Sequence, residues 1–238
     1  MESASIVFTQ LNQAGHVLVI SPHLDDAVFS CEALLRWARD VTVFTVFSGD
    51  TKLGASLSEW DRLCGFSEGD DVMAHRRQED MNALNLVGAT ALWGELSEAT
   101  LHSEVLDEEA VRRALIAAID KVQPTHIVFP LGLSHEDHLT VSQECLSVLS
   151  HTAAEAFTYA ERPYSQRAPW AVRRRRTELT RLGWELESVH LPRGHRRSHL
   201  EGIRCYQTQL RGLKISALRL GLYPESYWKV SKAPFSKR

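Results

Sequence analysis

The fold of this chain is decided by the stretch HVLVISPHLDD, residues 16–26. Its first half is a short run of β-branched and apolar residues that stops at Ser21-Pro22, which predicts a buried strand followed by a loop. Beyond the loop, apolar residues recur at helical spacing from Val28 to Trp37. We therefore expect a strand, a loop and a helix in that order.

The same alternation continues through most of the chain. A second apolar run, residues 41–47, predicts another buried strand, and a polar connection, residues 48–71, follows it. We expect helices at about 72–87, 107–121 and 138–150, and strands at about 90–94, 126–130 and 154–160. Continuous apolar strands alternating with amphipathic helices indicate a parallel sheet covered on both faces, with right-handed crossovers. The sequence therefore predicts a Rossmann-like α/β fold, a three-layer sandwich with a mostly parallel sheet.

The chain changes character about two thirds of the way along, after residue 161. We expect a further strand at 184–191 and a helix that begins near His199, and no internal repeat is visible. We interpret residues 1–238 as a single domain, in which residues 161–238 form a basic C-terminal extension of the same fold.

The formal charge of −3 conceals a split between two parts of the chain. Residues 162–238 hold 18 Lys and Arg against five Asp and Glu, whereas residues 1–161 hold nine against 25. The basic part complements the acidic part or forms an anion site for a phosphorylated substrate or nucleic acid, and we favour the first. It is then expected to close over the acidic edge. The clustered arginines are Arg173 to Arg176, Arg193, Arg196 and Arg197.

Composition limits the compartment and the class of protein. With 44% hydrophobic and 24% charged residues, the chain has the balance of a globular protein. Its four cysteines form no CxxC pair, the N-terminus lacks the pattern of a secretory signal, and no apolar run approaches the length of a membrane span. We expect a cytoplasmic protein with neither a membrane nor a nucleic-acid partner. A homo-oligomer is left open.

Polar clusters follow two of the predicted strands directly. Residues 22–26 come after the first strand, and residues 132–138 come after the strand at 126–130. Ligands of open α/β sheets bind at the carboxyl ends of the strands, so we expect both clusters at one edge. Together they bring three imidazoles and several carboxylates into one small volume.

This donor set is typical of a divalent metal site with a neighbouring acid and base. Imidazole and carboxylate ligands suit Zn²⁺, so we expect His23, Asp26 and His138 to bind it, although another first-row metal would accept the same ligands. Asp25 is then free to act as general base, and His135 to face a developing oxyanion as an imidazolium. In the alternative interpretation, the Asp pair and the HxxH sequence only cap helices.

These motifs resemble those of the PIG-L/LmbE-like family of zinc-dependent de-N-acetylases. Residues 23–26, HLDD, are similar to the family's HPDD motif, and residues 135–138, HEDH, to its HxDH motif. Residues 76–79, RRQE, resemble its RxxE helix, and residues 206–209, YQTQ, its YxxQ element. The resemblance extends from residue 16 to about residue 210.

The resemblance implies a role for each matching residue. It assigns the metal ligands, the base and the electrostatic partner to the same five residues as above. It also implies that Arg76 contacts substrate hydroxyls and that Glu95, after the third strand, does likewise. The alternatives are a solvated helix residue for Arg76 and an ordinary loop carboxylate for Glu95.

Two positions depart from the family pattern. Leu24 replaces the motif proline, which changes the stiffness of the loop and removes no chemical group. Leu133 stands where relatives in the mycothiol pathway have a tyrosine. Any contribution of that hydroxyl must come from elsewhere or be absent.

The predicted reaction is hydrolysis of the N-acetyl group of a GlcNAc-type amino-sugar conjugate, in secondary-metabolite or cofactor biosynthesis. Trp60, in the long connection after the second strand, is a candidate to stack on the sugar or aglycone. Two alternatives remain open: an amidase acting on a larger acyl or thiol-conjugate amide, and a catalytically silent module that binds an anionic ligand.

Overall fold

The computed structural model describes residues 15–50, 57–98, 106–190, 196–222 and 224–233. Within these ranges, the strands form one seven-stranded sheet. They are β1 (Val17–Ser21), β2 (Val41–Phe47), β3 (Thr90–Leu96), β4 (His126–Pro130), β5 (Glu155–Tyr159), β6 (Trp184–Val189) and β7 (Tyr227–Lys232). The longer helices are α1 (Asp26–Trp37), α3 (Val72–Val87), α4 (Glu108–Val122), α5 (Glu136–Val148), α7 (Pro169–Arg181) and α8 (Arg196–Cys205). The shorter ones are α2 (Glu59–Cys64), α6 (Tyr164–Arg167), α9 (Gln207–Gly212) and α10 (Ala217–Leu220).

The order of the strands places a crevice at the middle of the sheet. It is β3-β2-β1-β4-β5-β7-β6, and β1 to β5 are all parallel. The chain proceeds outward from β1 to β3 and then returns to β4 on the other side of β1. At such a switch point the loops after the two adjacent strands diverge and leave room for a ligand.

The central strands are buried on both faces, which explains their continuous apolar runs. Successive side chains of a strand point to opposite faces. Val17 and Val19 therefore join the core beneath α1, α3 and α8, whereas Leu18 and Ile20 join the core beneath α4, α5 and α7. The sandwich has two separate apolar layers, and the predicted fold class is confirmed.

The structure refines the bounds expected from the sequence. Helix α5 begins at Glu136, two residues earlier than expected, so His138 lies in its first turn. Strand β6 ends at Val189 instead of residue 191. The four short helices were not predicted, because segments of four to six residues are too short to show helical periodicity.

The basic C-terminal part of the chain contributes the last two strands. Strand β7 pairs antiparallel with both β5 and β6, so it lies between them in the sheet. Within the described residues, no helix is long and apolar enough to cross a bilayer.

The arginine run on α7 is used partly inside the protein. Arg175 is buried, and its Nε donates to the carbonyl oxygen of Leu131 at 3.1 Å. Arg176 lies over the ring of Trp228, with the guanidinium carbon 4.9 Å from the ring centroid. Both contacts lie inside the protein, and neither is with an acidic side chain of residues 1–161. Arg193 and the side chains of Arg196 and Arg197 lie outside the described residues.

Candidate metal centre

The loops after β1 and β4 meet at the switch point of the sheet. Ser21 ends β1, and its hydroxyl accepts a hydrogen bond from the backbone N–H of Ala27 at 3.0 Å, which ties the loop to the first turn of α1. Gly132, after β4, has a φ of 89°, and a Cβ added there would lie 2.9 Å from the Cβ of Ser142. A glycine is therefore needed for the β4 loop to turn closely over α5.

Three donor atoms converge between the two loops. Oδ2 of Asp26 lies 3.2 Å from Nδ1 of His23 and 3.2 Å from Nε2 of His138. The ligand atoms of this trio all lie within 4.8 Å of one another. Nitrogen and oxygen ligands bind zinc tetrahedrally at about 2.0–2.1 Å, which places neighbouring donors about 3.3 Å apart. The spacing of these atoms therefore fits one small divalent ion.

The environment of His138 also fits a metal ligand. The side chain is fully buried, and its Nε2 forms no hydrogen bond within the described part of the chain. A buried polar atom without a hydrogen bond is costly unless something else binds it. A metal ion shared with Asp26 and His23 would satisfy that nitrogen.

Carboxylates orient both imidazoles from behind. Nε2 of His23 lies 2.9 Å from Oδ2 of Asp137, and Nδ1 of His138 lies 3.3 Å from Oε1 of Glu161. Histidine ligands usually bond a carboxylate or carbonyl through the nitrogen that does not face the metal, which fixes the tautomer and the ring plane. Each histidine thus directs one nitrogen toward Asp26 and the other toward a buried acid.

Sequence reasoning missed the orienting role of these two acids. Asp137 belongs to the HEDH sequence, and its spacing relative to the histidines was the available signal. Glu161 is fully buried, two residues after the end of β5, and its Oε1 also accepts hydrogen bonds from the backbone N–H groups of Gly132 and Leu133, both at 2.8 Å. Glu161 thus adds a third polar position at the carboxyl end of a strand, beside the clusters that follow β1 and β4.

Neither helix start behaves as an ordinary cap. Asp25 precedes α1 and His135 precedes α5, yet neither side chain forms a capping hydrogen bond. The capping alternative therefore does not explain why these two residues are there. Both line the cavity beside the candidate metal ligands.

The two neighbouring aspartates differ in charge state. Burial and, next, the charge of Asp26 together raise the pKa of Asp25 to about 7. Burial alone would also raise the pKa of Asp26, but the adjacent imidazoles of His138 and His23 lower it below its ordinary range. Asp26 is thus the permanent anion, and Asp25 can gain or lose a proton near neutral pH.

The structure disfavours the imidazolium expected at His135. Burial and, next, the neighbouring His23 together lower the pKa of His135 to about 4. Its ring lies edge-on to that of His23, with centroids 5.3 Å apart. The sequence reasoning ignored these neighbours. The arrangement supports a neutral imidazole at pH 7.

A cavity of about 190 Å³ opens in front of these residues. Its lining comes from both parts of the chain, and the basic part covers the acidic edge as expected. The lining residues are His23, Asp25, Asp26, Trp60, Glu98, His135, Arg162, Pro163, Tyr164, Gln209 and Leu213. The cation among those contributed by the basic part is Arg162.

The predicted substrate contacts fall in three different places. Trp60 lies on α2 and lines the cavity. Glu95 is exposed on the edge strand β3 and does not line it, whereas Glu98, three residues further on, does. Arg76 is buried on α3 and lies behind the wall.

Arg76 supports the cavity through ion pairs. Its Nη2 donates to Oδ1 of Asp61 at 2.7 Å, and its Nη1 donates to Oε1 of Glu98 at 3.5 Å. The first pair holds α2, the helix that carries Trp60, and the second holds Glu98 against the cavity. The solvated alternative for Arg76 is therefore wrong, because the residue is only 4% exposed.

Two further acids of α3 hold the YxxQ element. Glu79 Oε2 accepts a hydrogen bond from the Thr208 hydroxyl at 2.6 Å, and Asp80 Oδ1 accepts one from the Tyr206 hydroxyl at 2.8 Å. These bonds place Gln209 in the cavity wall. Leu133 is buried in the apolar core and contributes no group to the cavity.

Comparisons with known proteins agree with this geometry. The family model PIG-L, described as GlcNAc-PI de-N-acetylase, matches residues 18–149. A search of curated protein sequences gave no significant match.

Three solved structures show the fold across nearly the whole chain. The A40926 pseudoaglycone deacetylase Dbv21 is 25% identical, with a TM-score of 0.76 over 92% of this chain and 98% of that one. The zinc-inhibited form of teicoplanin deacetylase Orf2 is 21% identical, with a TM-score of 0.76 over 93% and 100%. N,N'-diacetylchitobiose deacetylase from Pyrococcus horikoshii is 16% identical, with a TM-score of 0.54 over 98% and 94%.

Proposed function

This chain belongs to the PIG-L family of de-N-acetylases, and from that membership we propose that it uses a zinc ion to hydrolyse the acetamide of a GlcNAc-type amino-sugar conjugate. The observation that carries the proposal is the convergence of His23, Asp26 and His138, with Asp25 beside them and free of any capping bond. A binding module has no evident use for a buried carboxylate of raised pKa next to a metal site.

The metal ligands and the base have separate tasks. A divalent ion held by His23, Asp26 and His138 would supply a water molecule of lowered pKa and would polarise the acyl oxygen. Asp137 and Glu161 keep the two imidazoles in the tautomers that leave their metal-facing nitrogens unprotonated.

Asp25 moves the proton. Its carboxylate takes a proton from the attacking water as the water oxygen bonds to the acyl carbon and the carbonyl electron pair moves onto the acyl oxygen. When the C–N bond breaks, Asp25 returns a proton to the departing nitrogen, which gives a free amine and acetate. A pKa of about 7 suits a group that both accepts and donates a proton near neutral pH.

The opposite side of the cavity would bind the sugar. Glu98 offers a carboxylate and Gln209 an amide to hydroxyl groups, and Trp60 offers an aromatic face. A structure at 25% identity is a pseudoaglycone deacetylase, which supports an amino-sugar conjugate as the substrate class. The volume of about 190 Å³ suits a small acylated sugar unit, with any larger aglycone outside the cavity.

Domain organisation and location belong to the same proposal. We assign residues 1–238 to one catalytic domain, since β6 and β7 complete the sheet that carries the site. The four cysteines are free thiols, which supports a cytoplasmic location.

The decisive experiment combines metal analysis with an assay for free amine. The purified chain is stripped with a chelator, reloaded with zinc, iron, cobalt or nickel, and incubated with N-acetylglucosamine and a panel of its conjugates. We expect about one metal per chain, and amine and acetate released in equal amounts only by the reloaded protein. Equal release by the stripped protein, or none from any member of the panel, would refute the proposal.

A matched pair of variants identifies the site. His138→Ala should lose both metal and turnover, because it removes a ligand. Asp120→Asn, a change of an exposed carboxylate on α4, should alter neither.

A further inference from the structure

The turn after β5 brings a tyrosine to the metal centre. Tyr164 begins α6 and lines the cavity. Its ring meets the imidazole of His138 edge-on, with centroids 5.1 Å apart and an interplanar angle of 80°. The residue thus packs directly against a candidate ligand, although it is 26 positions further along the chain.

The turn that carries Tyr164 is anchored at several points. Glu161 binds the β4 loop and His138, and its carbonyl oxygen accepts a hydrogen bond from the N–H of Ser165 at 2.8 Å. The N–H of Arg162 donates to the hydroxyl of Ser30 on α1 at 3.1 Å, and its guanidinium donates to the carbonyl oxygen of Phe29 at 3.2 Å. The position of Tyr164 is therefore set by the β4 loop, by His138 and by α1.

The hydroxyl of Tyr164 is available to a ligand. No residue in the described part of the chain forms a hydrogen bond with it. Tyr164 lines the same cavity as Asp25 and Asp26. A tyrosine hydroxyl is protonated at neutral pH, so it can donate a hydrogen bond.

Several of the other cavity groups are less suited to this task. Carboxylates accept, and the ligand histidines face the ion. The guanidinium of Arg162 is engaged with a backbone carbonyl, and the amide nitrogen of Gln209 lies 3.3 Å from the Thr208 hydroxyl.

We propose that Tyr164 is a catalytic residue whose hydroxyl donates a hydrogen bond to the acyl oxygen as negative charge develops there. The inference rests on the proposed amide hydrolysis and adds to it a residue outside the sequence motifs. No proton leaves the phenol: the bond strengthens as the carbonyl pair moves onto the acyl oxygen and relaxes when the C–N bond breaks. A donor aimed at developing charge lowers the barrier more than it strengthens substrate binding.

The test compares Tyr164→Phe with Tyr159→Phe. The first removes the proposed donor and keeps the ring against His138. The second removes a buried hydroxyl on β5 that, among the described residues, bonds only the carbonyl oxygen of Ile20, at 3.1 Å, and lies away from the cavity. Loss of one such donor typically lowers kcat by roughly 10²–10³, so we expect about a 100-fold fall for Tyr164→Phe with KM changed less than about threefold.

A second readout does not depend on turnover. Methylphosphonate resembles the tetrahedral anion that forms when water adds to the acyl carbon. Its affinity for the zinc-loaded protein is measured by calorimetry. We expect Tyr164→Phe to bind it about tenfold more weakly, a loss typical of a hydrogen bond to a charged group, and Tyr159→Phe to bind it as wild type does. Zinc content should be equal in all three proteins.

The outcomes separate the two proposals. Unchanged kcat and unchanged methylphosphonate affinity in Tyr164→Phe would overturn the role of Tyr164 while leaving amide hydrolysis intact. If the wild type released no amine from any substrate, the proposed function would fail, and the methylphosphonate affinities would still decide whether the hydroxyl contacts an anion at the centre. Equal losses in both variants would mean a structural effect and would also overturn the inference.

Discussion

The cavity has two walls that are built in different ways. The metal wall, residues 21–26 and 132–138, consists of two short loops at the ends of neighbouring parallel strands. The substrate wall, made by Trp60, Glu98 and Gln209, takes one residue from each of three distant segments. Residues of the metal wall are positioned by local spacing and strand ends, and those of the substrate wall by buried bonds between helices.

The difference separates chemistry from recognition. On α3, Arg76 holds Glu98 and α2, while Glu79 and Asp80 hold the YxxQ element. These three charged side chains are buried and lie outside the metal site. Their bonds position the substrate wall. A change in the metal wall should therefore affect kcat or metal binding, and a change in the substrate wall should affect KM.

The largest effect is expected at Asp25. Asp25→Asn keeps the shape of the side chain and removes the proton acceptor, so kcat should fall by about 10²–10⁴. Zinc content, measured by mass spectrometry, should stay at the wild-type level, because Asp25 is not a ligand. Normal turnover in the Asn variant would show that Asp25 is not the general base.

The next effect tests whether the turn after β5 belongs to the metal wall. In Glu161→Gln the amide can still accept from the β4 loop but presents no charge to His138, so zinc affinity should fall about 10–100-fold. The measurement is a competition titration with a chromogenic chelator. Glu155→Gln, which changes a β5 carboxylate paired with Lys229, is the matched control. Equal affinity in both variants would limit Glu161 to holding the loop.

A smaller effect is expected at Trp60. A stacked aromatic ring contributes about 1 kcal/mol of binding free energy in addition to the contribution of its buried apolar area. Trp60→Ala should therefore raise KM roughly tenfold and lower kcat much less. Gly212 allows α9 to pack closely against the ring of Trp60, since a Cβ there would lie 2.9 Å from Cη2 of Trp60. Trp170→Ala, a change of a ring that is 64% exposed, is the control. Equal changes in kcat and KM would contradict a stacking role.

The smallest effect concerns stability and its pH dependence. Burial raises the pKa of Asp80 to about 7, against hydrogen bonds from Trp93 and Tyr206 that lower it. A carboxyl whose pKa is raised on folding stabilises the protein below its unfolded pKa, and this contribution is lost as the pH rises through about 7.

Asp80→Asn removes that titration. Its free energy of unfolding, measured in urea, should gain about 1–2 kcal/mol relative to wild type between pH 5 and pH 8. Equal pH dependence in the two proteins would show that Asp80 is not strained by burial. Turnover should change little, because the side chain lies behind the substrate wall.

The sequence reached the metal wall more closely than the substrate wall. HLDD and HEDH each follow a strand, so the expected sheet already placed them at one edge. Arg76 could not be located in this way, because its partners Asp61 and Glu98 lie on either side of it in the chain and their proximity depends on how the helices pack. For the same reason the sequence points to Glu95, whereas Glu98 lines the cavity. The residue at which β3 ends, Leu96, is decided by packing.

Sequence alone determined the alternation of strands and helices, the two clusters at the strand ends and the family they resemble, because hydrophobic periodicity and motif spacing are local properties. Tertiary structure alone decided that Asp137 and Glu161 orient His23 and His138, that His135 lies where a neutral ring is favoured, and that Tyr164 packs against His138. These features depend on burial and on distances between segments far apart in the chain. Both are set only when the sheet and its helices have packed.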